Sequence, residues 1–182
     1  GIGARSANRV ECGQPCRLPW NLVNGSGRVL AKNRYLLSLK DMDRSGHLAA
    51  LAKAGISSFK IEGRLKDLAY VKNITGFYRQ KLDQFLAGSP VHKKASSGRV
   101  RFDFTPNPGK TFSRGATDYY LSQKGPGPVH SFDTPKSRGE AVGRVSKIGE
   151  DWFQLKTDKG FHNGDGLCFV DHKGRFQGVR IN

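Results

Sequence analysis

The first half of the chain holds two consecutive units, each an apolar strand pattern followed by an apolar helix pattern. The first unit joins RYLLSLKD, which predicts a buried strand ending in charge, to DRSGHLAALAKAGI. In this second stretch Leu48, Leu51 and Ala52 recur at helical spacing. Gly55 follows them, and glycine is a residue that commonly ends a helix. One strand and one short helix are therefore predicted.

The second unit follows at once and is longer. ISSFKIEGR predicts a short strand, and LKDLAYVKNITGFYRQKLDQFLAG predicts a helix that ends at Gly88. Two strand-helix units in succession predict parallel strands with right-handed crossovers, as in doubly wound sheets and (β/α)8 barrels. The apolar residues on one face of this helix are Leu68, Val71, Ile74, Tyr78, Leu82 and Phe85.

The remaining patterns are β-like or irregular. Residues 21–30, NLVNGSGRVL, set two short apolar pieces around a Gly-rich turn and predict a β-hairpin. Pro and Gly clusters in residues 89–131 predict a linker and irregular segment around the isolated strand-like RVRFDF. Short alternating runs in residues 132–182 predict a small antiparallel β-barrel domain, whose start could also fall near residue 98. The predicted fold class is α/β plus all-β.

Charge is the feature of the composition that points to a partner. The chain has 31 Lys and Arg against 15 Asp and Glu, a formal net charge of +16. Such a field attracts polyanions, so nucleic acid is the leading partner class, and charge used only for solubility is the alternative. The sequence has no apolar run long enough to predict a membrane-spanning helix.

Two of the three cysteines stand close together. Cys12 and Cys16 lie in ECGQPCR, where two thiolates in one loop could share a metal or a cluster and Arg17 would help to keep them charged. Zinc and iron-sulfur sites usually need four protein ligands, so a metal role, free structural thiols and a local disulfide all stay open. Cys168 lies in the apolar run LCFV and is predicted to be a small buried hydrophobe.

Charged residues cluster where the second predicted strand meets its following loop. Lys60, Glu62 and Arg64 lie there, and Lys40 and Asp41 occupy the matching place after the first strand. Barrel active sites are built at this end of parallel strands, which makes Lys60, Glu62 and Arg64 the candidate catalytic residues. The alternative is that Lys60 and Glu62 form a structural ion pair.

Together, the motifs NRVECGQPCRLPW, LLSLKDM, SSFKIEGRLKDLAYVKNITGFYR, TFSRGATDYY and SFDTPKSRGEAVGRV resemble the collagenase-like peptidase family U32. The cysteine motif and the FKIEGRLKD block are most similar to the branch of that family that makes 5-hydroxycytidine in large-subunit ribosomal RNA. Family resemblance implies that residues 1–88 are the closing strand-helix units of a (β/α)8-type barrel and that an accessory β-barrel follows. The upstream family signature with two further cysteines is absent from this sequence, so the chain is expected to be an inactive fragment by itself.

The resemblance also implies the cofactor, the partner and the roles of several residues. Members use four cysteines for an iron-sulfur cluster, and Cys12 and Cys16 match the later pair, with the other ligands in the upstream part of the polypeptide. In the ribosomal branch the reaction is an oxygen-independent hydroxylation, with prephenate as possible cosubstrate, on ribosomal RNA or its precursor in the cytoplasm. The residues expected to contact RNA are Arg17, Lys40, Lys66 and Arg114.

Two other functions stay open at this stage. One is a metal-dependent peptidase, the role that the family name records, in which Glu62 or a bound metal would activate water. The other is a non-catalytic RNA-binding module formed by the β-rich region from about residue 98 onward, an idea that rests on fold analogy alone.

Overall fold

A computed structural model describes residues 12–63, 65–122 and 129–181 of the chain. None of the described helices is both long and apolar enough to span a membrane. Short 3-10 turns cover Pro15–Arg17, Ser45–His47 and Pro108–Lys110. The helices are α1 (Leu48–Lys53) and α2 (Leu68–Ala87), and the strands are β1 (Trp20–Val23), β2 (Val29–Arg34), β3 (Asp41–Met42), β4 (Ala116–Thr117), β5 (Arg144–Ile148), β6 (Phe153–Lys156), β7 (Gly166–Val170) and β8 (Phe176–Arg180).

The predicted hairpin near residue 25 is confirmed. Strands β1 and β2 pair antiparallel, with Val23 opposite Val29. Asn24 closes the turn, because its Oδ1 accepts hydrogen bonds from the backbone N–H groups of Ser26 and Arg28. Gly27 has a φ of 80°, a conformation that glycine adopts without a steric penalty.

Both predicted helices are also confirmed. At the start of α2 the Oδ1 atom of Asp67 accepts a hydrogen bond from the backbone N–H of Tyr70 at 2.7 Å, an N-cap that satisfies one of the free donors there. Gly88 caps the other end, as the sequence predicts. Helix α1 is followed by Gly55, whose φ is 96°. The buried apolar residues of the described chain, Leu48 and Ala52, both lie on α1.

The two strands predicted before these helices differ from the structure. Described residues 56–63 contain no strand, and after β2 the stretch that includes Leu39 has an isolated bridge to His130 followed by the two-residue β3. A strand needs a neighbour to accept and donate its backbone hydrogen bonds, and among the described strands none lies beside residues 56–63. The (β/α)8-type barrel therefore stays a prediction.

Part of the predicted irregular segment packs on α2. The side chain of Asn73, which is buried in α2, donates from Nδ2 to the carbonyl of Asn107 at 2.5 Å and accepts from the Asn107 N–H at 2.7 Å. One turn further along, a Cβ on Gly76 would lie 2.9 Å from Cε1 of Phe102, so the ring lies directly over the helix backbone. Further along the chain, β4 pairs in parallel with β3. Residues 102–117 are thereby fixed beside α2 and β3.

The C-terminal region forms two antiparallel hairpins, β5-β6 and β7-β8. In the second turn, Asp171 accepts from the backbone N–H groups of Lys173 and Arg175. The hydrogen bond from Arg175 is the largest cause that lowers the pKa of Asp171 to about 2. The described strands form four two-stranded sheets, and closure of the C-terminal hairpins into a barrel stays a prediction.

Much apolar surface is exposed. The accessible surface area is 14090 Å² for a chain of 20.0 kDa, whereas a compact monomer of that mass exposes roughly 8,700 Å². Of the predicted apolar face of α2, Leu68 is 68% exposed and Val71 is 45% exposed. The buried residues of α2 are instead Asn73 and Gly76, which lie under residues 102–111.

Candidate nucleic-acid interface

Lys66 is the centre of a group of charged and aromatic side chains just before α2. Its Nζ lies 3.1 Å from the centroid of the Phe112 ring and 5.3 Å from that of Tyr70. An ammonium group over an aromatic face is attracted by the negative potential of the ring. The guanidinium of Arg114 is 5.7 Å from the same Phe112 ring. Two cations therefore share one aromatic side chain.

Asp41 holds Arg114 in place through two hydrogen bonds. Its Oδ2 accepts from the backbone N–H of Arg114 at 2.7 Å, and its Oδ1 accepts from Nη2 at 2.8 Å. The Arg114 side chain is only 19% exposed, and its buried Nε has no hydrogen-bond partner among the described residues. We call Asp41, Lys66, Tyr70, Phe112 and Arg114 the Lys66 cluster.

Burial and the neighbouring charges of the Lys66 cluster both change the pKa of Lys66. Burial of the ammonium is the main cause that lowers this pKa below its ordinary value. The negative charges of Asp41 and, more weakly, Asp67 oppose the shift, while the positive charges of Arg114 and Arg17 add to it. Positive charge in excess of negative charge within a partly buried site favours the binding of an anion, such as a phosphate group.

The structure brings together the four residues predicted to contact RNA. Lys66 and Arg114 share the Phe112 ring, and Arg17 is near enough for its charge to lower the pKa of Lys66. The stem of Lys40 passes over Gly115, because a Cβ at that glycine would lie 3.6 Å from Cδ and Cε of the lysine. Their assignment to RNA binding stays a prediction, now with a shared location.

The predicted catalytic residues lie on the loop that leads into this cluster. Lys60 and Glu62 form an ion pair of 2.8 Å, with side chains that are 83% and 73% exposed, and Glu62 raises the pKa of Lys60 through this hydrogen bond. Gly63 links the loop to the Lys66 cluster, since a Cβ there would lie 2.9 Å from Cε1 of Tyr70. Arg64 lies outside the described residues. The catalytic roles of all three stay predictions.

Cys16 lies inside the 3-10 turn Pro15–Arg17 and Cys12 lies three residues before the turn; both are half-buried and free of any disulfide. Trp20 fixes this turn by donating from Nε1 to the carbonyl of Pro15 at 2.9 Å. Thiolates are the ligands that iron-sulfur clusters prefer, so the two cysteines fit such a cluster chemically. Two cysteines are half of the four protein ligands that a cluster usually has. Within residues 12–63, 65–122 and 129–181, no group of three or more His, Cys, Asp or Glu side chains could hold a metal ion.

The prediction for Cys168 was wrong. The residue is exposed on β7, and its Sγ donates to the carbonyl of Arg138 at 3.1 Å. The sulfur atom itself is partly shielded from water, which raises its pKa, and the charge of Arg138 opposes this shift. The apolar run around Cys168 suggested burial, but β7 pairs only with β8 among the described strands, and a two-stranded sheet leaves both faces open.

The sequence analysis did not identify Tyr70 and Phe112 as part of the site. The aromatic residue Phe112 lies two positions before Arg114 in TFSRG, and Tyr70 lies four positions after Lys66, which precedes the first residue of α2. An aromatic residue close in sequence to each of these two predicted RNA contacts was the available signal. Nothing in the sequence showed that the two segments meet.

Comparison with known proteins gives a consistent family signal. The model described as Peptidase family U32 matches residues 1–130 of the chain. No solved structure matches the chain significantly.

Three relatives show the range of functions in similar proteins. A 23S rRNA 5-hydroxycytidine synthase of Escherichia coli (strain K12) is 47% identical over 163 residues, which is 90% of this chain and 25% of the synthase. A collagenase of Porphyromonas gingivalis is 27% identical over 91% of this chain and 45% of the collagenase. The tRNA hydroxylation protein P of Helicobacter pylori (strain ATCC 700392 / 26695) is 31% identical over 71% of this chain and 30% of that protein. The chain thus spans a quarter to less than half of the length of these relatives.

Proposed function

The chain belongs to peptidase family U32, and we therefore propose that it is part of an enzyme that hydroxylates cytidine in ribosomal RNA. Support comes from the 47% identity to the Escherichia coli 23S rRNA 5-hydroxycytidine synthase. A relative named as a tRNA hydroxylation protein points to the same class of substrate and reaction. An RNA-modifying protein of this kind works in the cytoplasm, where its substrate is made.

The observation that carries the proposal is the Lys66 cluster. Lys66 and Arg114 present two cations on the Phe112 ring, and Arg17 adds a third positive charge nearby. Asp41 is the carboxylate that fixes the Arg114 guanidinium. A phosphate of the RNA backbone would bind between Lys66 and Arg114, where ion pairing is stronger than in open water.

The loop before this site supplies the candidate catalytic residues. Gly63 packs against Tyr70 and Lys66, so a phosphate held by Lys66 would bring the neighbouring nucleotide towards Lys60 and Glu62. The Lys60–Glu62 ion pair is exposed to water, and an exposed pair contributes little to stability. Such a pair can exchange its partner for a substrate group at low cost.

Cys12 and Cys16 would provide two ligands of an iron-sulfur cluster, with the others in the upstream part of the same polypeptide. The cluster would supply redox chemistry to the reaction, with prephenate as the cosubstrate. Cys16 precedes Arg17 in the 3-10 turn, and the charge of Arg17 acts on Lys66 of the cluster. The upstream part would also cover exposed apolar residues such as Leu68 and Val71 of α2.

We expect Cys12→Ser and Cys16→Ser each to reduce the iron and acid-labile sulfide of the polypeptide that includes the upstream part. Serine is a poor iron ligand, so each variant should lose at least about half of the metal after anaerobic reconstitution. Cys168→Ser is the matched control, because Cys168 is bonded to the Arg138 carbonyl on β7 and should leave the iron content unchanged. Equal iron content in all three variants and the parent would show that Cys12 and Cys16 are not ligands.

RNA binding by the 182-residue chain is expected to weaken steeply with salt. If Arg17, Lys66 and Arg114 each contact one phosphate, the logarithm of the binding constant for single-stranded RNA should fall with the logarithm of salt with a slope of about −2. Fluorescence anisotropy of a labelled RNA from the 23S target region, measured over a salt series, checks this. A slope near zero would rule out an electrostatic RNA interface.

A peptidase is the second candidate, because the collagenase of Porphyromonas gingivalis is similar over 91% of this chain. In that case Glu62 would activate water and Lys60 would stabilise its carboxylate. Digestion of gelatin by the polypeptide that includes the upstream part, with loss of this digestion in Glu62→Gln, would establish the peptidase in place of the RNA hydroxylase.

A further inference from the structure

A groove runs along α2 where residues 100–111 lie against the helix. Two neighbouring cavities of about 530 Å³ and 340 Å³ form it, and Lys72 and Phe104 line both of them. Each volume is within the range of about 300–1,000 Å³ that is typical of ligand sites. We call this surface the α2 groove and define it by Lys72, Arg79, Arg101, Phe102, Phe104 and Lys110.

The α2 groove is strongly basic. Four of its six defining residues are Lys or Arg, and Asp103 is the carboxylate that lines it. Arg79 is paired with Asp83 at 2.5 Å, but Lys72, Arg101 and Lys110 make no ion pair within the part of the chain that the structure describes. Three uncompensated cations around a concave surface focus a positive potential there and favour a polyanion over a neutral ligand.

Aromatic rings lie between these cations. Phe102 and Phe104 contact edge to face, with 6.0 Å between their centroids. Phe102 is held over Gly76 of α2, while Phe104 remains 41% exposed. Unpaired bases stack on exposed aromatic side chains, whereas duplex RNA presents its phosphates and sugars to a protein. An exposed ring flanked by cations is therefore suited to a single strand.

The α2 groove continues from the Lys66 cluster. Ala69 and Thr111 both line the groove, and each is followed directly in the chain by an aromatic residue of the cluster, Tyr70 and Phe112. From Lys72 to Arg79 the helix rises roughly 10 Å, so the groove is long enough to contact more than one nucleotide of a strand. We propose that the α2 groove binds the single-stranded RNA that flanks the nucleotide held at the Lys66 cluster.

This inference rests on the proposed RNA substrate, and its test separates the two. The probe is a fluorescein-labelled single-stranded RNA of about ten nucleotides, compared with a duplex of the same length. The double variant Lys72→Ala with Arg101→Ala should weaken binding of the single strand by about tenfold and make the salt slope shallower by about 1.4. Lys53→Ala is the matched charge control, because Lys53 is exposed on α1, away from the groove.

The aromatic contribution has its own variant. Phe104→Leu keeps an apolar side chain but removes the ring, so it should weaken binding of the single strand by at least about fivefold with an unchanged salt slope. Binding of the duplex should be the same in Phe104→Leu and in the parent chain. Circular dichroism and thermal melting of each variant show whether the fold is retained.

Three results would overturn the inference. If the groove variants bind RNA as the Lys53→Ala control does, while Arg114→Ala weakens binding, the α2 groove is not an RNA site and the proposed function stands. If the parent chain shows no salt-dependent binding to the single strand or to the duplex, the proposed function itself fails. If the groove variants lose affinity for gelatin peptides and keep their affinity for RNA, the groove binds a polypeptide.

Discussion

Asn73→Ala is expected to lower the free energy of unfolding by about 2 kcal/mol. The side chain makes two hydrogen bonds to the backbone of Asn107, and alanine would leave that N–H and carbonyl without their partners. An unsatisfied buried polar group costs about 1–3 kcal/mol. Alanine is the better helix former by up to about 0.7 kcal/mol, which offsets a part of the loss.

Denaturant unfolding of the 182-residue chain measures this change, with Gln84→Ala as the control in the same helix. Gln84 is exposed and its side chain makes no hydrogen bond to a described residue, so the control should change the unfolding free energy by less than about 0.5 kcal/mol. A second measurement is local. Trypsin should cut after Arg101 and Lys110 sooner in Asn73→Ala than in the control, because the segment is released from α2. We call the two hydrogen bonds between Asn73 and Asn107 the Asn73 clamp. Equal cutting and equal stability in the two variants would show that the Asn73 clamp does not fix this segment.

The Asn73 clamp matters for function because both proposed RNA contacts depend on it. Residues 101–110 form one wall of the α2 groove, and Phe112 and Arg114 follow directly in the Lys66 cluster. The first helical turn of α2 supplies the remaining aromatic residue, Tyr70. A loss of this clamp therefore moves the groove wall and the cluster together.

Local signals in the sequence were sufficient for the elements that are held together by nearby residues. The hairpin β1-β2 is closed by the Asn24 side chain, and α2 is bounded by the Asp67 cap and Gly88. Each signal lies within a few residues of the structure it predicts. These elements were predicted from short apolar repeats and turn residues, and the structure confirms them.

Contacts between distant parts of the chain could not be predicted in this way. Asn73 and Asn107 are 34 positions apart, and Asp41 and Arg114 are 73 positions apart. The periodicity of α2 predicted one buried face, of which Leu68 and Val71 are exposed and the other four residues are half-buried. The most deeply buried residues of α2 are Asn73 and Gly76, which residues 102–111 cover. Hydrophobic periodicity reports which face can be buried, and it does not report which segment will cover it.

The same limit applies to the Lys66 cluster. Lys66 and Arg114 were both expected to contact RNA, but the contacts that bring them to one place join distant parts of the chain. The Asn73–Asn107 hydrogen bonds hold the segment before Phe112 on α2, and Lys66 and Arg114 meet at the Phe112 ring. The exposed Lys60–Glu62 pair was foreseen as an alternative to a catalytic role, and the geometry is compatible with both.

Arg114→Ala is expected to weaken RNA binding by at least about tenfold, a larger effect than any other single substitution in the Lys66 cluster. The change removes one phosphate contact, so the salt slope should become shallower by about 0.7. It also leaves Asp41 without its cationic partner, and that uncompensated carboxylate would repel a phosphate. Arg28→Ala, in the exposed turn between β1 and β2, is the matched control and should change affinity by less than about threefold.

Asp41→Asn tests the same charge balance, but here the affinity for RNA is expected to rise. Asparagine removes the negative charge and keeps an oxygen that can accept from the Arg114 N–H, so RNA binding should become tighter while Arg114→Ala makes it weaker. Asp41 also raises the pKa of Lys66, and its loss should let that pKa fall further, which lysine-selective NMR titration can follow. If both substitutions weakened binding equally, the cluster would act by holding the fold of residues 112–117. Opposite effects on affinity, with similar thermal stability, would instead identify the charge balance around Lys66 as the determinant of RNA binding.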